Sequence, residues 1–129
     1  MEWSLKLAVI GAGYVGLVSG ACFSEFGFDV TCIDKDADKI ARIEEGIMPI
    51  YEPGLEDLVD RNVSAGRLRF SVDMGPAVRD ADAVFIAVGT PTRRGDGHAD
   101  LSFVFAAAEE LASFLTGYTV VVTKSTVPV

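Results

Sequence analysis

The stretch "VIGAGYVG", Val9 to Gly16, decides the fold of this chain. Gly11, Gly13 and Gly16 stand in the G-x-G-x-x-G spacing, directly after a short apolar run, "LKLAVIG" (Leu5 to Gly11), and at the start of a helical pattern from Tyr14 to Phe26. Strand, glycine turn and helix in that order form the cradle that a pyrophosphate needs. Gly11 permits the tight turn, Gly13 has no side chain to hold the backbone away from phosphates, and Gly16 lets the helix pack close on the strand. Free amides at the helix start, with the helix dipole behind them, then favour an anion.

A second apolar run, "DVTCID" (Asp29 to Asp34), ends in a carboxylate 34 − 11 = 23 residues after the first glycine. That is close to the spacing of about 20 at which an acid reaches the adenosine ribose of a dinucleotide. Such a carboxylate accepts both ribose hydroxyls and repels a 2′-phosphate, which predicts NAD rather than NADP as the cofactor. Each part has a plainer reading: the glycines could serve packing alone, and Asp34 could cap the helix that begins near Ala37.

Working outward, "ADAVFIAVG" and "TVVVT" (Thr119 to Thr123) supply two more strand patterns, and "RLRFS", around Leu68 to Ser71, a weaker one. Helical spacing covers Tyr14 to Phe26, roughly Ala37 to Glu45, Leu55 to Ala65, Pro76 to Arg79 and Leu101 to Leu115. The best loop candidates are "MPIYEPG" and "GTPTRRGDGHAD". Runs apolar on nearly every residue suit strands covered on both faces. The expected fold is therefore α/β, a Rossmann-type doubly wound parallel sheet of about five strands with helices on both faces, in one domain spanning residues 1–129. In the usual order 3-2-1-4-5-6 the sixth strand is missing, so Thr119 to Thr123 becomes an exposed, uncharged edge. Self-association into a homo-oligomer through it is expected.

Composition excludes several classes. With 129 residues, half of them hydrophobic, and a formal charge of 11 − 19 = −8, the chain has enough material for a core but no basic patch for nucleic acid; "RR" at Arg93 and Arg94 is too short. No apolar run approaches the roughly 20 residues of a membrane span, and "MEWSLK" lacks the order of a signal peptide, so no membrane partner and a cytoplasmic location are expected. Cys22 and Cys32 fall in apolar patterns and read as buried free thiols. His98 is a lone loop histidine without a role, no metal-ligand spacing occurs, and no catalytic group can be assembled. Read without further context, Lys39 is a solvated lysine beside Asp36 and Asp38.

"AVIGAGYVGLVSGACFSEFGFDVTCIDKD", "PIYEPGLEDLV", "AVGTPT" with "ADLS" after it, and "KSTVPV" occur in one order. Over Leu5 to Val129 the chain resembles the UDP-glucose 6-dehydrogenases of the UDP-glucose/GDP-mannose dehydrogenase family, in its N-terminal NAD-binding domain. The resemblance implies NAD contacts at Gly11, Ala12, Gly13, Tyr14, Val15 and Gly16, at Asp34, at Lys39, at Thr90 and at Thr126. It also implies the family's reaction, oxidation of the C6 alcohol of UDP-glucose to the carboxylate of UDP-glucuronate. The catalytic cysteine belongs to a later part of the family pattern, which neither Cys22 nor Cys32 matches. Hence the ending "TVVVTKSTVPV" reads as a cut after the fifth strand, with the central helix and substrate domain absent. The chain alone is expected to bind NAD without catalysis, and UDP-sugar is expected as a partner only of the full-length enzyme. The alternatives are an S-adenosylmethionine-dependent methyltransferase-like domain, which gives "KSTVPV" and "YEPGL" no purpose, and a non-catalytic NAD-sensing regulatory domain.

Overall fold

The apolar runs become strands and the 3.6-residue patterns become helices in a computed structural model that describes residues 4–125. In chain order these are β1 (Lys6–Ile10), α1 (Tyr14–Glu25), β2 (Asp29–Ile33), α2 (Ala37–Glu44), α3 (Leu55–Ser64), β3 (Leu68–Ser71), α4 (Met74–Asp80), β4 (Ala83–Ile86), α5 (Ser102–Ala112) and β5 (Val120–Thr123). All pairings are parallel and the sheet order is β3-β2-β1-β4-β5. This matches the first five positions of the expected 3-2-1-4-5-6 order, and it puts the reversal of direction between β1 and β4.

Alternation along β1 sorts the core into two layers. Leu7 and Val9 face a cluster with Leu17 and Ala21 of α1, Ile40 and Ile43 of α2, and Leu55 and Val59 of α3. Ala8 and Ile10 face the other side, with Met74 and Val78 of α4 and Val104, Ala107 and Leu111 of α5. Because the side-chain period of a strand is two, one run of apolar residues serves both layers.

Boundaries shift where side chains cap helices. The α4 helix begins at Met74, not near Pro76, because the Asp73 carboxylate accepts the Gly75 amide at 3.3 Å and starts the first turn earlier. Helix α5 ends at Ala112 rather than Leu115, and Ser113 at its end turns its hydroxyl back onto the Glu110 carbonyl. The "MPIYEPG" and "GTPTRRGDGHAD" segments are irregular as expected, apart from an isolated antiparallel bridge between Thr92 and Ala99. Cys32 is fully buried, but Cys22 is only half-buried on α1, a correction to the expectation of two interior thiols. Both are free.

β5 forms one edge of the sheet, and Val120 and Val121 on it are 44% and 42% exposed. Among the described residues no helix is long and apolar enough to cross a membrane.

Candidate functional site: a cleft at the carboxyl ends of β1, β2 and β4

The glycine loop is built by backbone contacts that allow no other residue at two of its positions. Gly11 has φ +108°, and its amide donates to the Ile33 carbonyl at 2.7 Å, tying the end of β1 to the end of β2. A Cβ on Gly16 would lie 1.7 Å from the Gly11 carbonyl oxygen, so the first turn of α1 rests directly on the loop. Gly13 differs: a Cβ there would meet nothing within 4 Å. The loop thus fits a pyrophosphate in the way its chemistry asks, with the packing glycines filled by protein and the middle glycine facing open space.

Gly13 is the N-cap of α1 and offers no capping side chain, and the first turn carries no acidic residue. The first intrahelical bond runs from the Leu17 amide to the Gly13 carbonyl at 2.9 Å. The Tyr14, Val15 and Gly16 amides therefore have no partner within the helix, which leaves donors for an anion at the positive end of the dipole.

Asp34 is half-buried beside this loop. Its Oδ2 accepts the Ala12 amide at 2.9 Å and the Lys39 ammonium at 3.0 Å, and its Oδ1 accepts the Asp36 amide at 2.9 Å. Partial burial works against the charged carboxylate, but the Ala12 and Asp36 amides and Lys39 outweigh it and hold the group below the ordinary aspartate value. Asp34 does not cap α2; Asp36 does, accepting the Lys39 amide at 3.1 Å. Nor is Lys39 simply solvated beside Asp36 and Asp38, since its ammonium reaches back one turn onto Asp34.

These elements wall a cleft of about 510 Å³. Gly11, Gly13, Asp34 and Lys39 line it on one side, Ala87, Val88, Gly89 and Pro91 after β4 on another, and Met74 at the start of α4 contributes to the floor. The site lies outside the carboxyl ends of the strands at the point where the strand order reverses. Thr90 is half-buried between the wall residues Gly89 and Pro91 without being part of the wall itself. Tyr14 and Val15 are exposed on the first turn, and the Tyr14 hydroxyl donates to Glu52 at 3.0 Å. Ala12 is fully buried, so only its backbone is available to a ligand. Thr126 lies outside the described residues.

One wall escaped the sequence reading. Phe103, Ala106, Ala107 and Glu110 of α5 line the cleft at positions i, i+3, i+4 and i+7, a single face of the helix. That spacing reads as an ordinary core stripe. The signal that could have exposed it is Glu110, a charge at the end of the stripe, whose carboxylate pairs with Lys35 at 2.9 Å across the cleft.

Comparison with known proteins agrees with this geometry. The family description "UDP-glucose/GDP-mannose dehydrogenase family, NAD binding domain" matches residues 5–129. A UDP-glucose 6-dehydrogenase of Rhizobium meliloti (strain 1021) is 64% identical over 125 residues, which are 97% of this chain and 29% of that protein. The structure of a UDP-glucose dehydrogenase from Pyrobaculum islandicum superimposes with a TM-score of 0.91 at 42% identity, covering 97% of this chain and 29% of that one. A GDP-mannose dehydrogenase from Pseudomonas aeruginosa, solved as a ternary complex, gives a TM-score of 0.90 at 36% identity over 95% of this chain and 29% of that one. This chain thus spans under a third of the length of these relatives. The methyltransferase and regulatory alternatives find no support among them. The chain belongs to the UDP-glucose/GDP-mannose dehydrogenase family, as its NAD-binding domain.

Proposed function

We propose that NAD binds in the 510 Å³ cleft with its pyrophosphate on the first turn of α1 and its adenosine ribose on Asp34. The observation that carries this reading is the Asp34–Ala12 hydrogen bond, which seats the carboxylate proposed to read the ribose against the glycine loop. A carboxylate offers about four acceptor positions, and three are already occupied by Ala12, Asp36 and Lys39. Lys39 is the partner that can leave, because it is a side chain held at its tip, whereas the amides are fixed by the backbone. A ribose hydroxyl takes its place on Asp34, and the freed ammonium turns to the ribose oxygens. Glycine-loop residues Gly11 to Gly16, including Ala12, Tyr14 and Val15, complete the adenosine half. Thr90 and Thr126 serve the nicotinamide half.

Bound NAD supplies a hydride acceptor. Residues in this chain bind and orient it, and none of the described residues is assigned the part of general base or nucleophile. In a longer protein the domain serves the oxidation of UDP-glucose to UDP-glucuronate, the reading favoured by relatives named UDP-glucose 6-dehydrogenase. The free thiols Cys22 and Cys32 fit the reducing cytoplasm as its setting. Alone, this chain binds NAD and does not oxidise UDP-glucose.

Titration calorimetry with NAD and NADP, followed by an absorbance assay with UDP-glucose and NAD, tests the proposal. NAD binding, NADP at least about tenfold weaker, and no NADH formed are expected. A folded sample that ignores NAD or prefers NADP contradicts it.

A further inference from the structure

Two lysines stand at the ribose end of the cleft, and each is held by a different carboxylate. Lys39 pairs with Asp34 at 3.0 Å, and Lys35, the residue after Asp34, pairs with Glu110 of α5 at 2.9 Å. Both pairs line the same cleft. This creates a question of specificity that Asp34 alone does not answer. A 2′-phosphate carries close to two negative charges and is attracted by any free ammonium it can reach. Lys35 follows the ribose-reading acid directly in sequence and is otherwise well exposed, so on charge alone it would welcome such a group.

From this we infer that Glu110 is a second determinant of NAD over NADP, acting by holding the Lys35 ammonium on the far wall of the cleft and neutralising it there. It rests on the reading that Asp34 faces the adenosine ribose. Glu110 itself does not touch the ribose; it is a positioning residue for Lys35. Its place on α5 suits this role. Ala106 and Ala107, one turn before it, are too short to compete for the ammonium, and Phe103 offers no acceptor. The carboxylates that line the cleft together with Lys35 are Glu110 from α5 and Asp34 and Asp36 from the β2–α2 turn. Asp34 accepts Lys39 and two backbone amides, and on the proposed reading it exchanges Lys39 for a ribose hydroxyl when NAD binds, while Asp36 caps α2 through Oδ1. Glu110 is the carboxylate that holds Lys35, at 2.9 Å. The pair is partly solvated, so its effect is modest and weakens with salt.

The experiment is calorimetry with NAD and NADP on the wild-type chain, E110A, E110Q, K35A and the K35A/E110A double variant, each checked for a cooperative thermal melt. The readout is the ratio of NADP to NAD affinity, which a merely structural loss would not change. E110A is expected to raise that ratio about three- to tenfold at low salt, and E110Q to raise it as well, since the amide cannot neutralise the ammonium. K35A/E110A is expected to return the ratio to the wild-type value. A ratio within twofold of wild type in both Glu110 variants overturns the inference, as does a gain that survives the removal of Lys35. If the folded wild-type chain binds no NAD, the cofactor reading fails and this inference falls with it. Intact NAD binding with an unmoved ratio sinks only the role of Glu110.

Discussion

The Oδ2 atom of Asp34 accepts the Ala12 amide at 2.9 Å, so the acid just after β2 is fastened to the glycine loop just after β1. On the proposed reading, ribose recognition and phosphate binding then share one braced corner. The D34A variant should lose at least about tenfold in NAD affinity, about 1.4 kcal/mol, by removing both the ribose acceptor and the brace on the loop. Calorimetry against NAD measures it, and undiminished affinity would refute the assignment.

The same corner makes stability depend on pH. The Asp34 carboxyl is held below its ordinary value in the folded chain, so the folded state binds its proton less readily than the unfolded state. Its contribution is complete above the unfolded value of about 3.9 and disappears as pH falls through the lower folded value. Urea midpoints taken from pH 7 to the acid limit should therefore fall less steeply for D34N than for the wild type. Parallel curves for the two proteins would contradict the stated direction.

Gly13 and Gly16 separate binding from packing. G13A places a methyl where nothing lies within 4 Å, so the fold should survive while the pyrophosphate is displaced and NAD affinity drops. G16A drives a methyl onto the Gly11 carbonyl, at a cost of roughly 1–3 kcal/mol or more. Thermal melts paired with NAD titration distinguish the two, and equal stability loss in both variants would count against the account of the loop.

Gly20 and Cys32 set how closely α1 lies on β2. A Cβ at Gly20 would stand 2.4 Å from the Cys32 sulfur, and G20A should destabilise the chain by about 1–3 kcal/mol. Burial pushes the Cys32 thiol up to about 12, so it should not react with a thiol reagent at neutral pH until the chain unfolds. Prompt labelling of Cys32 under native conditions, read by mass spectrometry of peptides, would show that the layer is open.

The β5 edge presents Val120 and Val121 with no charge to discourage pairing. Sedimentation at rising concentration should show self-association, and V121K should suppress it. Monomers at every concentration for the wild type would rule this edge out as a contact.

How much of this was legible depends on the range of the cause. The glycine loop and β1 are dictated by residues within a few positions of each other, and the strand order follows because that loop with Asp34 marks the dinucleotide variant of the doubly wound sheet, with β1 at its switch point. The start of α4 was missed because the deciding group, the Asp73 side chain, sits before the apolar pattern begins. The partner of Lys39 was missed because Asp36 and Asp38 are nearer in sequence, while Asp34 is nearer in space. The α5 wall was missed for a deeper reason: a helix stripe that lines a cleft and one that fills a core share one period, and only the tertiary contact of Glu110 with Lys35 separates them.

The central claim, that NAD occupies the cleft at the ends of β1, β2 and β4, is tested most directly by following backbone amide resonances while NAD is added to the labelled chain. Shifts are predicted at Gly13, Tyr14, Val15 and Gly16, at Asp34 and Lys39, and at Gly89 and Thr90, with little change at Val59 and Val63 on α3. Saturable shifts confined to α3, or none in the glycine loop, would contradict it.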